Sequence, residues 1–180
     1  VDLPETTSYD FGISPLFASG SFQKLANSKT NSFGASLSYF NLGLMQKMFK
    51  YNTDFTTAPN GLGGDLNFRI KTKSGGMFKY YGNFDTNQMA VQSPSLEPGY
   101  DESKVALKGS NMFHTLSFKQ KLGSYLINSS ASYSMNDAKL NFAALKDGAV
   151  LSAFDFNNKG NYLNFKTVVD RKINRISAIR

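Results

Sequence analysis

Long stretches of the chain after Gly75 alternate apolar and polar side chains with a period of two residues. The alternation covers residues 78–85, 115–119, 125–134 and 163–170. Successive side chains of a β-strand point to opposite faces, so this period indicates strands with one apolar and one polar face. Glycine, Asn, Asp and Pro punctuate the stretches, which is typical of turns between strands. The pattern predicts a mainly β, antiparallel protein.

The chain before Gly75 has a mixed texture. Residues 1–32 are polar and rich in Ser, Thr and Asn, which predicts a loop with short ordered pieces. Residues 33–39 and 66–71 alternate as strands do, whereas residues 42–49 fit either one helical turn or a second strand. The glycines within residues 60–64 predict a tight turn.

Two features favour a membrane barrel among the all-β folds. The polar positions of the strands carry Asn, Ser, Thr and Lys, which suits a wet barrel interior. Tyr125 and Tyr133 lie on one face, ~26 Å apart along a strand at about 3.3 Å per residue. At a strand tilt near 40° this projects to about 20 Å, comparable with the apolar band of an outer-membrane barrel. A soluble β-sandwich whose tyrosines flank a strand remains an alternative.

Composition excludes several classes of function. The longest apolar runs, such as residues 143–145, are far shorter than the ~20 residues of a spanning helix. Cysteine is absent, which removes disulfides, thiolate catalysis and thiolate metal sites. The net charge of +7 is spread over single lysines, a pattern typical of a solvated face rather than of a nucleic-acid interface.

The titratable residues form no recognisable reactive group. His114 is the single histidine, so neither a histidine metal site nor a catalytic triad is expected from it. Asp101 and Glu102 follow Pro98-Gly99, which indicates a solvated loop pair rather than a glycosidase dyad. No Gly-x-Ser-x-Gly elbow occurs. We therefore predict no enzyme activity, no catalytic residues, no metal site and no cofactor.

One segment resembles a known family. After residues 47–55 come Gly61-Leu62-Gly63-Gly64 and then Leu66-Asn67-Phe68-Arg69-Ile70-Lys71-Thr72-Lys73. The segment is similar to the end of the plug domain in TonB-dependent outer-membrane receptors, where a strand and an aromatic loop precede a Gly-x-Gly-Gly turn and a strand ending in Thr-Lys. The chain departs from that pattern at residues 58–60, where a Tyr-Gly pair is common in the family, and over its first 45 residues.

The residue types of this motif have a physical interpretation of their own. Gly61, Gly63 and Gly64 permit positive φ and close backbone approach, so they predict a sharp turn within packed surroundings. Asn67 lies between apolar neighbours and needs hydrogen-bond partners if it is buried, which favours a plug inside a barrel over an oily core. These four residues are the predicted structural site; no ligand contact is assigned.

The resemblance implies a part of a transmembrane antiparallel β-barrel with a plug segment. Residues 1–73 would be the C-terminal part of the plug, and residues 74–180 the first barrel strands, with long outer loops at 87–100 and 138–158. The implied function is import of a nutrient (a metal chelate, vitamin, glycan or peptide) across the outer membrane of a Gram-negative bacterium, by TonB-coupled rearrangement of the plug.

The implied partners are outer-membrane lipid, the TonB energy-coupling protein through a segment outside this chain, and a surface lipoprotein; no nucleic acid is expected. Two alternatives stay open: a structural or adhesion barrel of the outer membrane, and a soluble carbohydrate-binding β-sandwich. A complete eight-stranded barrel fits the length of 180 residues, but residues 176–180 lack a terminal aromatic, which predicts a chain that stops within a strand.

Overall fold

The computed structural model describes Pro4 and residues 6–48, 54–172 and 178–179. About four fifths of these residues belong to strands. The elements are β1 (Ser8–Ile13), β2 (Phe17–Leu25), β3 (Asn31–Asn41), α1 (Gly43–Met48), β4 (Asp54–Lys71), β5 (Met77–Pro94), β6 (Glu102–Leu122), β7 (Tyr125–Lys146), β8 (Ala149–Lys172) and β9 (Ala178–Ile179).

The strands form one antiparallel sheet whose spatial order is the chain order, from β1 to β9. Each strand pairs with the next one along the chain, and β9 pairs with the last two residues of β8, Arg171 and Lys172. Within the described part of the chain β1 does not pair with β9, so the sheet is open. The sequence prediction of a mainly β, antiparallel architecture is therefore confirmed.

The two ends of the sheet differ in their connections. Short turns at 26–30, 72–76 and 123–124 lie at one end, here called the turn end. Gly75 and Gly123 adopt φ of 79° and 59° there, a region that glycine enters without steric cost. The opposite end, here called the loop end, holds residues 14–16, 95–101 and 147–148 and the connection from β3 to β4.

Several predicted loops are strands in the structure. Residues 1–32 contain β1 and β2 rather than a loop with short pieces. Of the predicted outer loop at 87–100, residues 87–94 belong to β5, and the loop of the structure covers residues 95–101. The predicted outer loop at 138–158 belongs to β7 and β8, apart from the turn at 147–148. The open choice at 42–49 is resolved as a helix over Gly43–Met48. Residues 49–53, which belong to the segment 47–73 that resembles a known family, lie outside the described residues.

The predicted domain boundary at residues 73–74 coincides with the turn between β4 and β5. These two strands pair with each other from Lys71–Met77 up to Asp54–Gln92, so both sides of the boundary lie in one sheet. The assignment of residues 1–73 to a plug stays a prediction.

The predicted tight turn at Gly61–Gly64 is wrong. These residues lie inside β4, which is extended from Asp54 to Lys71. Among the described residues, positive φ occurs at four other glycines, Gly75, Gly99, Gly123 and Gly148. The glycines of β4 therefore do not serve a reversal of the chain; Gly61 and Gly64 instead allow the close approach of neighbouring groups.

The sheet is a single layer in the part of the chain that the structure describes. Its buried apolar residues are three alanines, Ala90, Ala143 and Ala144, and no large side chain is fully buried. Among the described residues no second sheet covers either face, unlike in a β-sandwich. None of the described helices is both long and apolar enough to span a membrane.

Candidate functional site

The strand register gathers apolar side chains from six strands on one face of the sheet. Cross-strand partners point to the same face, so the register defines rows that run across the sheet. Four successive rows toward the turn end of β3–β8 form what we call the apolar band. Its large members are Phe33, Leu37, Leu66, Phe68, Ile70, Phe78, Tyr80, Phe84, Met112, Leu116, Phe118, Tyr133, Met135, Leu163 and Phe165.

Ten of the fifteen large side chains of the apolar band are exposed, and the other five are half-buried. Phe165 is 75% exposed, Leu163 63% and Leu37 53%. The register extends the same face onto β1, where Phe11 and Ile13 are more than four-fifths exposed. On β4 the band covers the positions from Gly64 to Ile70, and Leu62 extends the apolar run of this strand by one further position to ~26 Å at about 3.3 Å per residue.

Aromatic contacts join neighbouring strands within the band. Phe68 of β4 stacks on Tyr80 of β5 with ring centroids 5.1 Å apart, and Phe78 contacts Phe118 of β6 at 4.3 Å. The Tyr80 hydroxyl shares a hydrogen bond of 2.7 Å with Nδ1 of His114. His114 thus has a cross-strand structural partner, and its surroundings are aromatic and aliphatic.

The opposite face carries mostly polar side chains at the same level, together with the exposed aromatics Tyr81, Phe113 and Tyr162, and we call it the polar face. It includes Ser21, Gln23, Ser36, Asp65, Asn67, Asn83, Asp85, Asn111, Ser132, Asn136 and Asn164. Hydrogen bonds connect these groups across the strands. Asn111 Nδ2 donates to Asp85 Oδ1 over 3.0 Å, and Asn136 donates to Asn111 in turn. Ser36 donates to Asp65.

The polarity of the two faces is exchanged toward the loop end. Above the apolar band the same face carries Lys108, Lys139 and the ion pair between Lys159 and Asp137, whose atoms lie 3.3 Å apart. The polar face becomes apolar at this level, with Met89, Val91, Val105, Leu107, Leu140, Phe142, Phe154 and Phe156. The long strands therefore have two segments of opposite orientation.

The predicted structural residues are divided between the two faces. Gly61, Gly63 and Asn67 lie on the polar face, whereas Gly64 lies on the face of the apolar band. A Cβ atom at Gly64 would lie 2.7 Å from the Ser36 carbonyl oxygen and 2.9 Å from the Phe84 ring. Asn67 reaches over Gly34, and its Oδ1 is buried without a hydrogen-bond partner among the described residues.

The side chains of Asp101 and Glu102 have hydrogen-bond partners in the structure. Asp101 Oδ2 accepts a hydrogen bond from the backbone nitrogen of Asp147 over 2.8 Å, and Glu102 Oε2 accepts one from Gln92 Nε2 over 2.5 Å. Among the described residues no group of three or more His, Asp or Glu side chains could hold a metal ion. These contacts connect neighbouring loops and strands.

A cleft of about 690 Å³ opens at the loop end between α1 and β4. It is lined by aromatic and polar side chains, among them Tyr39, Asn41, Gln46, Lys47 and Phe55. Gln46 Nε2 donates to the Phe55 carbonyl oxygen over 3.0 Å, which ties α1 to β4. The volume lies within the range of small-molecule sites. Sequence patterns did not indicate this cleft, because it depends on where α1 packs.

The chain matches no protein-family model, and no similar curated protein or solved structure was found.

Proposed function

We propose that the chain forms part of the wall of a β-barrel in a bacterial outer membrane, in a receptor that imports a nutrient. The observation that carries the proposal is the apolar band: a largely apolar surface on one face with most of its large side chains exposed, opposite a face of hydrogen-bonded polar side chains at the same level. Lipid covers the first face, and water in the lumen solvates the second.

The free energy of the exposed side chains favours lipid over water as the environment. Removing one large apolar side chain from water contributes roughly 1.5–3 kcal/mol, and the band holds more than a dozen of them. A monomeric soluble protein rarely leaves a contiguous apolar surface of this extent uncovered. On β4 the apolar run of ~26 Å projects to about 20 Å at a strand tilt near 40°, which is comparable with the ~25 Å apolar height of outer-membrane barrels.

The backbone pairing supports the same environment. In a bilayer core every backbone N–H and C=O group needs an internal partner, which spanning sheets supply by strand pairing. Strands β3–β8 are paired continuously through the apolar band. In the proposed barrel, further strands pair with the remaining edges and close the sheet.

Two features support a receptor within this class. Residues 47–73 resemble TonB-dependent receptors, which couple ligand uptake to TonB, in sequence, although Gly61–Gly64 lie within β4 rather than in a turn. The loop-end cleft at α1 and β4 has the size of a ligand site. The proposed ligand is a metal chelate, vitamin, glycan or peptide, the proposed partners are TonB and a surface lipoprotein, and the proposed location is the outer membrane of a Gram-negative bacterium.

A structural or adhesion barrel is the second candidate. It is favoured by the continuation of the apolar band over β3 and β4, which lie in the segment assigned to a plug by resemblance. If β3 and β4 belong to the barrel wall, fewer of residues 1–73 remain to form a plug in the lumen. Planar-bilayer recordings in KCl discriminate between the two: a plugged receptor gives little conductance, whereas an unplugged barrel gives steady channel steps.

Fluorescence quenching by brominated lipids tests the membrane orientation. The chain has no tryptophan, so Phe165→Trp on the apolar band and Tyr162→Trp on the polar face of the same strand each introduce one reporter. We expect strong quenching of the first and weak quenching of the second in vesicles. Equal quenching at both sites, or a protein that stays in aqueous buffer without detergent, would contradict the proposal and favour a soluble module.

A further inference from the structure

We propose that Lys108 and Lys139 form a binding site for the phosphate headgroup of an anionic membrane lipid. This inference rests on the proposed function, because it takes the apolar band to face lipid. The two lysines lie on the same face as the band, beyond its loop-end edge. A lipid can therefore place its acyl chains on the band and its headgroup at the lysines.

The two lysines are direct cross-strand partners, Lys108 on β6 and Lys139 on β7, and both are exposed. Like charges directly opposite each other in a sheet repel and destabilise the pairing. Their row neighbours, Gln88 on β5 and Asn157 on β8, are neutral. The pair thus lacks a compensating carboxylate within its own row.

The nearest acidic side chains in the adjacent rows have other partners. Asp137 pairs with Lys159 at 3.3 Å, and Asp155 accepts a hydrogen bond from Asn141. Lys159, with a side chain 60% exposed, is the ion-pair partner of Asp137, so the three lysines and two carboxylates of this region leave one net positive charge. The net charge of this region is positive, which complements a phosphate.

A shallow cavity of about 210 Å³ is lined by both lysines. It extends toward the loop end over the small side chains of Ala90 and Ala106, and Gln88 and Asn141 contribute amides to its lining. Small side chains leave room for a headgroup beside the lysines, whose ammonium groups can donate charge-assisted hydrogen bonds to phosphate oxygens.

The position relative to the band selects a lipid as the occupant. From Met112, in the last row of the band, to Lys108 is ~13 Å along β6, or about 10 Å in height at a strand tilt near 40°. Lysine stems are flexible and carry their charge to the interface beside an apolar surface. A headgroup at Lys108 and Lys139 thus lies one row, that of Ser110 and Asp137, away from acyl chains packed on Met112 and Met135.

The test measures binding of phosphatidic acid to the detergent-purified protein, by titration and quantification of the lipid retained after gel filtration. The variant is Lys108→Gln with Lys139→Gln. The matched control is Lys119→Gln with Lys166→Gln, which removes the same charge from exposed lysines on the polar face. We expect the first variant to weaken binding about tenfold and the control to leave it unchanged.

Each further outcome has a defined meaning. Unchanged binding in the Lys108 and Lys139 variant overturns the inference. Displacement of phosphatidic acid by an equal concentration of inorganic phosphate also overturns it, because the site then recognises a free anion. Bromolipid quenching of the Phe165→Trp reporter in the same variant separates the two proposals: normal quenching with unchanged lipid binding rejects the headgroup site alone, whereas absent quenching rejects the membrane orientation.

Discussion

Gly64 and Gly63 are adjacent in β4 but tolerate a side chain very differently. A Cβ at Gly64 would lie 2.7 Å from a backbone oxygen, that of Ser36, whereas the nearest atom to a Cβ at Gly63 is 3.5 Å away. Backbone atoms cannot rotate away, so we expect Gly64→Ala to destabilise the fold by about 1–3 kcal/mol. Gly63→Ala is the control, with an expected change within about 0.5 kcal/mol. Urea unfolding in detergent measures both; equal effects would contradict the packing geometry.

The same glycines mark a limit of sequence interpretation at the level of single residues. A glycine run permits either positive φ or close approach of another group, and the sequence does not distinguish the two. The structure places Phe40 against Gly61 and Phe84 against Gly64. These aromatics come from β3 and β5, so the need for space was invisible until the strand register was known.

The side chain of Gln120 hydrogen-bonds the turn between β4 and β5. Its side chain is 6% exposed, and its Nε2 donates to the carbonyl oxygens of Ser74 over 3.0 Å and of Lys121 over 2.9 Å. Gln120→Ala leaves these acceptors without the amide, and we expect a loss of about 1–3 kcal/mol of unfolding free energy. The exposed neighbour Lys119→Ala is the control. A loss no larger than that of Lys119→Ala would reject the role of Gln120 in holding the turn.

Alternate residues of the strand β8 belong to the apolar band and to the polar face. Leu163 belongs to the apolar band, and its neighbour Asn164 belongs to the polar face. A lysine at Leu163 would place a charge in lipid, at a cost of about 2–4 kcal/mol near the bilayer midplane. A lysine at Asn164 faces water, so we expect assembly close to that of the native chain. The folded fraction in vesicles, measured by protease resistance, checks the pair; similar losses in both variants would argue against a lipid-facing band.

The positions of the apolar residues along β7 and β8 explain which parts of these strands the sequence predicted. Near the turn end the apolar residues of β7 occupy odd positions such as Tyr133, whereas toward the loop end they occupy even positions such as Leu140 and Phe142. This change of phase interrupts the period of two, so residues 138–158 resembled a loop. Strand segments with a constant phase, such as 163–170, were predicted and are confirmed.

For the whole molecule, the exchange of polarity divides the long strands into two levels. β8 has 24 residues, whereas a tilted transmembrane strand needs only ~9–11. The apolar band lies in the part of the sheet nearer the turn end. Under the proposed function, the loop-end part of β5–β8 extends beyond the bilayer, with Lys139 and Asp155 facing water and Phe142 and Phe154 facing the barrel axis.

Cysteine labelling in vesicles tests this division, because the native chain has no cysteine. Ala153 and Phe165 lie on the same face of β8, ~40 Å apart along the strand at about 3.3 Å per residue. A membrane-impermeant maleimide should react readily with Ala153→Cys, because this position lies in the water-exposed extension, and slowly with Phe165→Cys, because lipid covers it. Dissolving the vesicles in detergent and unfolding the protein should equalise the two rates. Equal labelling rates in intact vesicles would mean that both positions lie in the same environment. That result would contradict the proposal that β8 spans the membrane near Phe165 and extends into water near Ala153.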